Sequence, residues 1–80
     1  MENIDLEAIH KKIGSNVAKY RKEKGLSQLK LSLEMGHSSV SVVSSAEQYN
    51  STKHFNINHI FQIAKILDLD VCKLLEQEED

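Results

Sequence analysis

The chain has 80 residues, 40% hydrophobic but only 5% aromatic, with no Pro and no Trp, which allows one aliphatic core and one domain of modest stability. A lone Cys72 excludes an internal disulfide and fits a reducing, cytoplasmic setting; the polar start Met1-Glu2-Asn3-Ile4-Asp5 does not read as a secretory signal, and no stretch nears the roughly 18 apolar residues of a membrane span. The net charge of -2 argues against a nucleic-acid partner only until it is divided: residues 1–67 carry nine Lys/Arg against six Asp/Glu, whereas residues 68–80 carry one against six, an acidic end on a mildly basic body.

The first predicted element runs from about Leu6 to Lys24. Ile9, Ile13, Val17 and Tyr20 recur at helical spacing. Asp5 suits the N-cap, Lys22 and Lys24 complement the C-terminal end of the helix dipole, and Gly25 supplies a left-handed terminator.

From Ser27 to Met35 two periods compete. Leu29, Leu31, Leu33 and Met35 alternate with polar residues, as in a strand. Ser27 as N-cap, Gly36 as C′ residue and a content of good helix formers favour a helix instead. The segment His37 to Gln48 is rich in Ser and Val, which are indifferent helix formers. Val40, Val43 and Ala46 at i, i+3, i+6 allow one short apolar stripe, so a helix here needs tertiary packing, and a strand stays open.

Tyr49 to Phe55 reads as a polar loop. Asn56 caps a helix from about Ile57 to Leu67, with Ile57, Ile60, Phe61, Ile63, Ala64 and Leu67 forming a broad apolar face, and Asp68 breaks it. Asp70 caps a last short helix whose Val71, Leu74 and Leu75 face inward, and residues 76–80 read as a frayed acidic end. The predicted core is Ile13, Val17, Leu26, Leu31, Met35, Val43, Ile60, Ile63, Ala64, Leu67 and Leu74.

A short helix, a glycine turn and a second helix make a functional unit. It needs a small residue where the helices cross, a turn residue tolerant of positive φ, and an apolar residue midway along the second helix. Ser32, Gly36 and Val43 fit these roles. Around this unit, Arg21-Lys22-Glu23-Lys24-Gly25-Leu26-Ser27-Gln28 and Ile57-Asn58-His59-Ile60-Phe61-Gln62-Ile63-Ala64-Lys65-Ile66-Leu67-Asp68-Leu69-Asp70 resemble the corresponding runs of the Cro/lambda-repressor type helix-turn-helix family. The resemblance covers about residues 9 to 75. It implies an all-α, compact five-helix bundle in a single domain (residues 1–80, core about 6–75). It also implies a second helix starting at Gln28 and a recognition helix near Val40 to Gln48. Its members bind operator DNA as repressors or regulators, often as homodimers. Two departures stand out: the recognition segment has no Lys or Arg, and the stretch from Gly36 to Glu47 is one residue longer than usual.

Carried onto this chain, the resemblance puts Gln28 on a DNA phosphate at a helix N-terminus. It faces Ser39, Ser41, Ser44, Ser45 and Gln48 toward the major groove. A serine hydroxyl both donates and accepts, and so reads bases less sharply than Arg or Gln. Val40 or Val42 touches a thymine methyl or joins the core. Arg21 and Glu47 match a structural ion pair between helices 1 and 3, and Lys53 and His54 occupy a loop that meets the DNA backbone. The last helix, with Val71, Cys72 and Leu75, offers a dimer surface.

His10, His37, His54, His59 and Cys72 show no C-x-x-C or H-x₃-H spacing, so no metal or other cofactor is expected. Neither a Ser–His–Asp arrangement nor a glycine-rich phosphate loop is present, and no enzymatic activity is expected. The reading is a double-stranded DNA-binding transcriptional regulator in the cytoplasm, associated with the nucleoid and not with a membrane. The charge-poor third helix keeps one alternative open: a protein-interaction module, antitoxin-like or an adaptor, with little DNA readout.

Overall fold

A computed structural model describes residues 4–77. Five α-helices follow in chain order: α1 Leu6–Glu23, α2 Gln28–Glu34, α3 Ser41–Glu47, α4 Ile57–Ile66 and α5 Val71–Leu75, with a 3-10 turn, Asn50–Thr52, between α3 and α4. Among the described residues there is no strand.

Four helices start on side-chain caps that satisfy otherwise orphaned backbone N–H groups. The carboxylate of Asp5 accepts from Ala8 N–H, Ser27 Oγ from Lys30 N–H, Asn56 Oδ1 from His59 N–H and Asp70 Oδ1 from Cys72 N–H. Only α3 begins, at Val40, without a side-chain cap bond. Gly25 (φ +76) and Gly36 (φ +91) take the left-handed conformation after α1 and α2.

The ambiguous second segment is a helix, and its alternation has a simple resolution. Four apolar residues two apart become two i, i+4 pairs on opposite faces. Leu31 and Met35 are buried, whereas Leu29 and Leu33 are about half exposed (51% and 53%). The third segment is also helical, from Ser41 to Glu47. Val43 and Ala46 are buried, and the core they join supplies what Ser and Val lack in propensity.

The core contains Ile13, Val17, Leu31, Met35, Val43, Ile60, Ile63, Ala64, Leu67 and Leu74, together with Ala46 and Phe55. Leu26 packs at its edge, half-buried. Three readings need correction. Phe55, assigned to the polar loop, is 2% exposed, because the chain entering α4 turns inward there. On α4, Ile57 and Phe61 flank the core-facing line set by Ile60, Ile63, Ala64 and Leu67, and they remain exposed. On α5, Leu74 is buried and its neighbour Leu75, about 100° further round the helix, is exposed.

The predicted frayed end is tied down in part. Buried Asn16 donates through Nδ2 to the carbonyls of Leu74 (3.0 Å) and Glu76 (2.8 Å), fastening the end of α5 to α1. Residues 78–80 of that end, and Met1–Asn3 of the N-terminal reading, lie outside the described residues.

Candidate nucleic-acid interface

The orientation of α3 is set from its C-terminal end. Arg21 on α1 donates through Nε to Glu47 Oε2 (2.7 Å) and through Nη2 to Oε1 (3.1 Å). Its third nitrogen, Nη1, donates to the Leu26 carbonyl at 2.8 Å. Both side chains are buried, so the planar guanidinium and the carboxylate fix each other in angle as well as distance. Gly14 brings α1 close to the same point. A β-carbon there would lie 2.5 Å from the Ala46 carbonyl oxygen and 2.7 Å from that of Glu47.

Gln28 belongs to this cluster. It is half-buried at the start of α2 and donates through Nε2 to Glu47 Oε1 at 2.8 Å. The side chain that the resemblance puts on a phosphate is thus engaged with the ion pair.

Between α2 and α3 lie residues 35–40, longer than a simple three- or four-residue turn. Gly36 provides the positive φ, Ser32 is fully buried where the helices cross, and Val43 is fully buried midway along α3. The turn's carbonyls and amides are partly self-bonded, with His37 N–H donating to the Ser32 carbonyl at 3.0 Å. Ser39 is exposed. Its Oγ donates to Ser41 Oγ (3.2 Å) and accepts from Ser41 N–H (3.4 Å), ordering the entry to α3.

With Val43, Ala46 and Glu47 turned inward, the outer face of α3 follows from helical spacing. Ser41, Ser44, Ser45 and Gln48 fall at i, i+3, i+4 and i+7 on one stripe. Ser41 and Gln48 are exposed; Ser44, Ser45, Val40 and Val42 are half-buried. No Lys or Arg lies within α3.

Ser41 and Ser45 also border a cavity of about 320 Å³, closed by Val42 and Ala46 of α3, Lys53 and His54 of the following loop, and His59 of α4. Gln48 instead borders a shallower hollow with Glu7, Lys11 and residues 49–52. The seven expected α3-side residues are distributed over the outer stripe of α3, where Ser44 also lies, and its two borders. Ser41, Ser45 and Lys53 border the cavity, Ser39 and Val40 belong to the turn, and Gln48, at the end of the stripe, borders the hollow beside α1.

Backbone geometry fixes the chemistry of the cavity's imidazoles. His59 Nδ1 accepts from Asn56 N–H (3.3 Å), completing a capping box in which His takes the place of Glu or Gln. Its other nitrogen therefore carries the proton in the neutral ring. For His54 the relation is reversed: Nδ1 donates to the Thr52 carbonyl at 3.1 Å, which leaves Nε2 an acceptor in the neutral ring. The His54 ring stacks on His10 of α1, centroids 3.9 Å apart, and His10 stacks in turn on Tyr49 at 6.2 Å. Burial, reinforced by the neighbouring His54, holds His10 below the usual histidine range. Burial and the nearby His37 do the same for His59.

Gly14 escaped the sequence reading, and His59 was weighed there only as a metal ligand. His59 sits among α4 residues assigned to the fold. Gly14 left one signal, a glycine inside a helical pattern, which usually marks a close approach.

A family model described as Helix-turn-helix matches residues 17–74, most of the chain, from within α1 through α2, α3 and α4 into α5. None of the curated proteins matches it.

Proposed function

Given that the chain belongs to the Cro/lambda-repressor-like helix-turn-helix family, a family of DNA-binding regulators, we propose that it is a sequence-specific repressor of transcription that reads the major groove with α3. The observation that carries this reading is the stripe Ser41, Ser44, Ser45, Gln48 on a helix whose buried side is locked by Arg21 and Glu47. Base recognition needs a helix held at a defined angle, with short polar side chains able to reach base edges.

In this reading Ser39 and Val40 approach the groove at the head of α3, and Lys53 meets a phosphate. Gln28 contributes to the phosphate only by sharing its amide between Glu47 and DNA. Residues 6–75 work as one unit, in the cytoplasm on the nucleoid. The protein acts as a homodimer, because one such module makes few base contacts and two half-sites multiply affinity and specificity. Exposed Leu75 and Cys72 with half-buried Val71 supply the dimer surface.

Selection of duplexes from a random library at near-physiological salt tests the reading. Enrichment of a palindrome with half-sites about one helical turn apart, lost or altered in Ser44→Ala/Ser45→Ala, supports it. Binding without enrichment, or with enrichment unchanged in the variant, rejects readout by α3.

One observation favours a second reading, a protein-interaction module: Leu29 and Leu33 form an exposed apolar pair on α2. A stable complex with a protein partner that survives high salt and is lost in Leu29→Ser/Leu33→Ser distinguishes it, since DNA binding weakens steeply with salt.

A further inference from the structure

We infer that the cavity between α3 and the α3–α4 loop binds a small monocarboxylate with a short apolar body, and that this ligand and DNA exclude one another. The exclusion rests on the DNA reading above; the binding site does not.

The lining has two kinds of wall. Val42 and Ala46 of α3 make an apolar one, and His54 lends ring surface, its Nδ1 proton already engaged by the Thr52 carbonyl. The remainder carries donors: the hydroxyls of Ser41 and Ser45, the ammonium of Lys53 and the imidazole of His59. A volume of about 320 Å³ lies at the small end of the range for small-molecule sites, about 300–1,000 Å³. A few donors beside an apolar wall is the usual composition of such sites.

Charge selects the ligand's head. Among the described residues that border the cavity, Lys53 is the one formal cation and none is a carboxylate. His59 donates without a charge, because its Nδ1 accepts from Asn56 N–H and the ring proton therefore sits on Nε2. Burial and the neighbouring His37 hold that ring below the usual histidine range, which keeps it neutral. One cation and three neutral donors match a single negative charge spread over two acceptor oxygens. A phosphate dianion would keep an unmatched charge here. It would also leave Val42 and Ala46 facing water, whereas a hydrocarbon body covers them.

The position of the cavity couples the ligand to DNA. Ser41 and Ser45 stand on the outer stripe of α3 and on the cavity alike. Lys53 is the cation that the DNA reading sets against a phosphate. A bound carboxylate neutralises that cation, engages both hydroxyls and adds a negative charge beside the reading helix. Each ligand then weakens the other by the same factor.

The test follows the methyl and amide NMR signals of the full chain with butyrate and benzoate as probes, beside benzamide and inorganic phosphate at equal ionic strength. Benzoate should shift Val42, Ala46 and Lys53 saturably, with a Kd of about 1–10 mM, modest as befits so few atoms. Benzamide, which lacks the charge, and phosphate, which lacks the body, should bind about tenfold more weakly or less. His59→Glu keeps a capping partner for Asn56 but sets a carboxylate on the cavity, and should abolish the benzoate shifts. Lys53→Met, on the exposed loop, should weaken benzoate about tenfold or more, and it decides the matter if His59→Glu does not fold. Saturating benzoate should weaken wild-type binding to a selected duplex about fivefold or more; benzamide should not. No saturable shift from either carboxylate, phosphate binding as tight as benzoate, or benzoate binding undiminished in folded His59→Glu or in Lys53→Met overturns the site. Benzoate binding that leaves duplex affinity unchanged overturns the exclusion. If benzoate binds and no duplex does, the site stands and the DNA reading alone fails.

Discussion

Gly14 lies beneath the last turn of α3, so near that a β-carbon would come within 2.5 Å of the Ala46 carbonyl oxygen. The obstacle is backbone, which cannot rotate aside. Alanine improves helix propensity by about 1 kcal/mol at an ordinary position. Here Gly14→Ala should destabilise instead, by about 1–3 kcal/mol, the usual cost of overpacking. Urea denaturation measures it; a gain in stability would mean that α1 and α3 separate freely.

Arg21 and Glu47 should prove strongly coupled. Either alanine variant leaves a buried charge without its partner and should cost about 3–5 kcal/mol, a large share of the stability of a small domain. Arg21→Met/Glu47→Leu should lose much less than the two single costs combined. A double-mutant cycle by chemical denaturation reads the difference, and simple additivity would refute the coupling.

Phe55→Ala should cost about 3–5 kcal/mol, in line with other buried aromatic truncations, although the residue lies between two polar segments. The check is the shift in thermal midpoint. A loss typical of an exposed loop residue would place Phe55 outside the core.

Stability should fall as pH drops below about 6.5, the ordinary histidine value. His10 and His59 are held low in the folded chain, so the unfolded chain binds more protons there and is favoured by acid. The loss should run from near pH 7 downward and be absent above it. Asp70 adds a second, more acidic loss. The Cys72 N–H it caps holds its carboxyl low, so its stabilisation is present above the usual carboxylate range and disappears as pH falls through it. Urea midpoints from about pH 8 to about pH 2 trace both; His10→Gln should flatten the first, and an unchanged slope would exclude His10 as its source.

If α5 carries the dimer, Leu75→Glu should yield monomers by sedimentation and weaken binding to a two-half-site duplex, without unfolding the domain. Leu75 is 40% exposed, so the substitution does not touch the core. An unaltered dimer would move the interface elsewhere, and a wild-type monomer both free and on DNA would remove it. Cys72 is a poor reporter for this test, because its bond with Asp70 raises the thiol above its usual range and slows its chemistry at neutral pH.

Helix ends were the most readable part of this sequence. Asp5, Ser27, Asn56 and Asp70 act within three residues of themselves, and their side chains perform as caps wherever the rest of the chain goes. Gly25 and Gly36 are equally local. The heart of the core was legible for a related reason, since its residues repeat at helical spacing.

What needed the fold was whatever depends on distant partners. Leu29 and Leu33 look like Leu31 and Met35 until the helix turns them apart. Asn16 has no local mark of its bond to a carbonyl 58 residues away. The cavity joins α3, a loop and α4, and His59 enters it from a turn whose sequence advertises only a cap.

The absence of Lys and Arg from α3 bears on how the proposed regulator would distribute itself in a cell. Cationic side chains hold a protein to any DNA, right or wrong, and so lengthen each visit to the bulk chromosome. A reading helix built from serines adds nothing to that indiscriminate hold. Less of the protein would be sequestered on irrelevant sequence, and occupancy of a true site would follow the number of molecules more directly. Regulation by abundance, through synthesis and degradation, suits such a protein better than reliance on a large reservoir already bound to DNA.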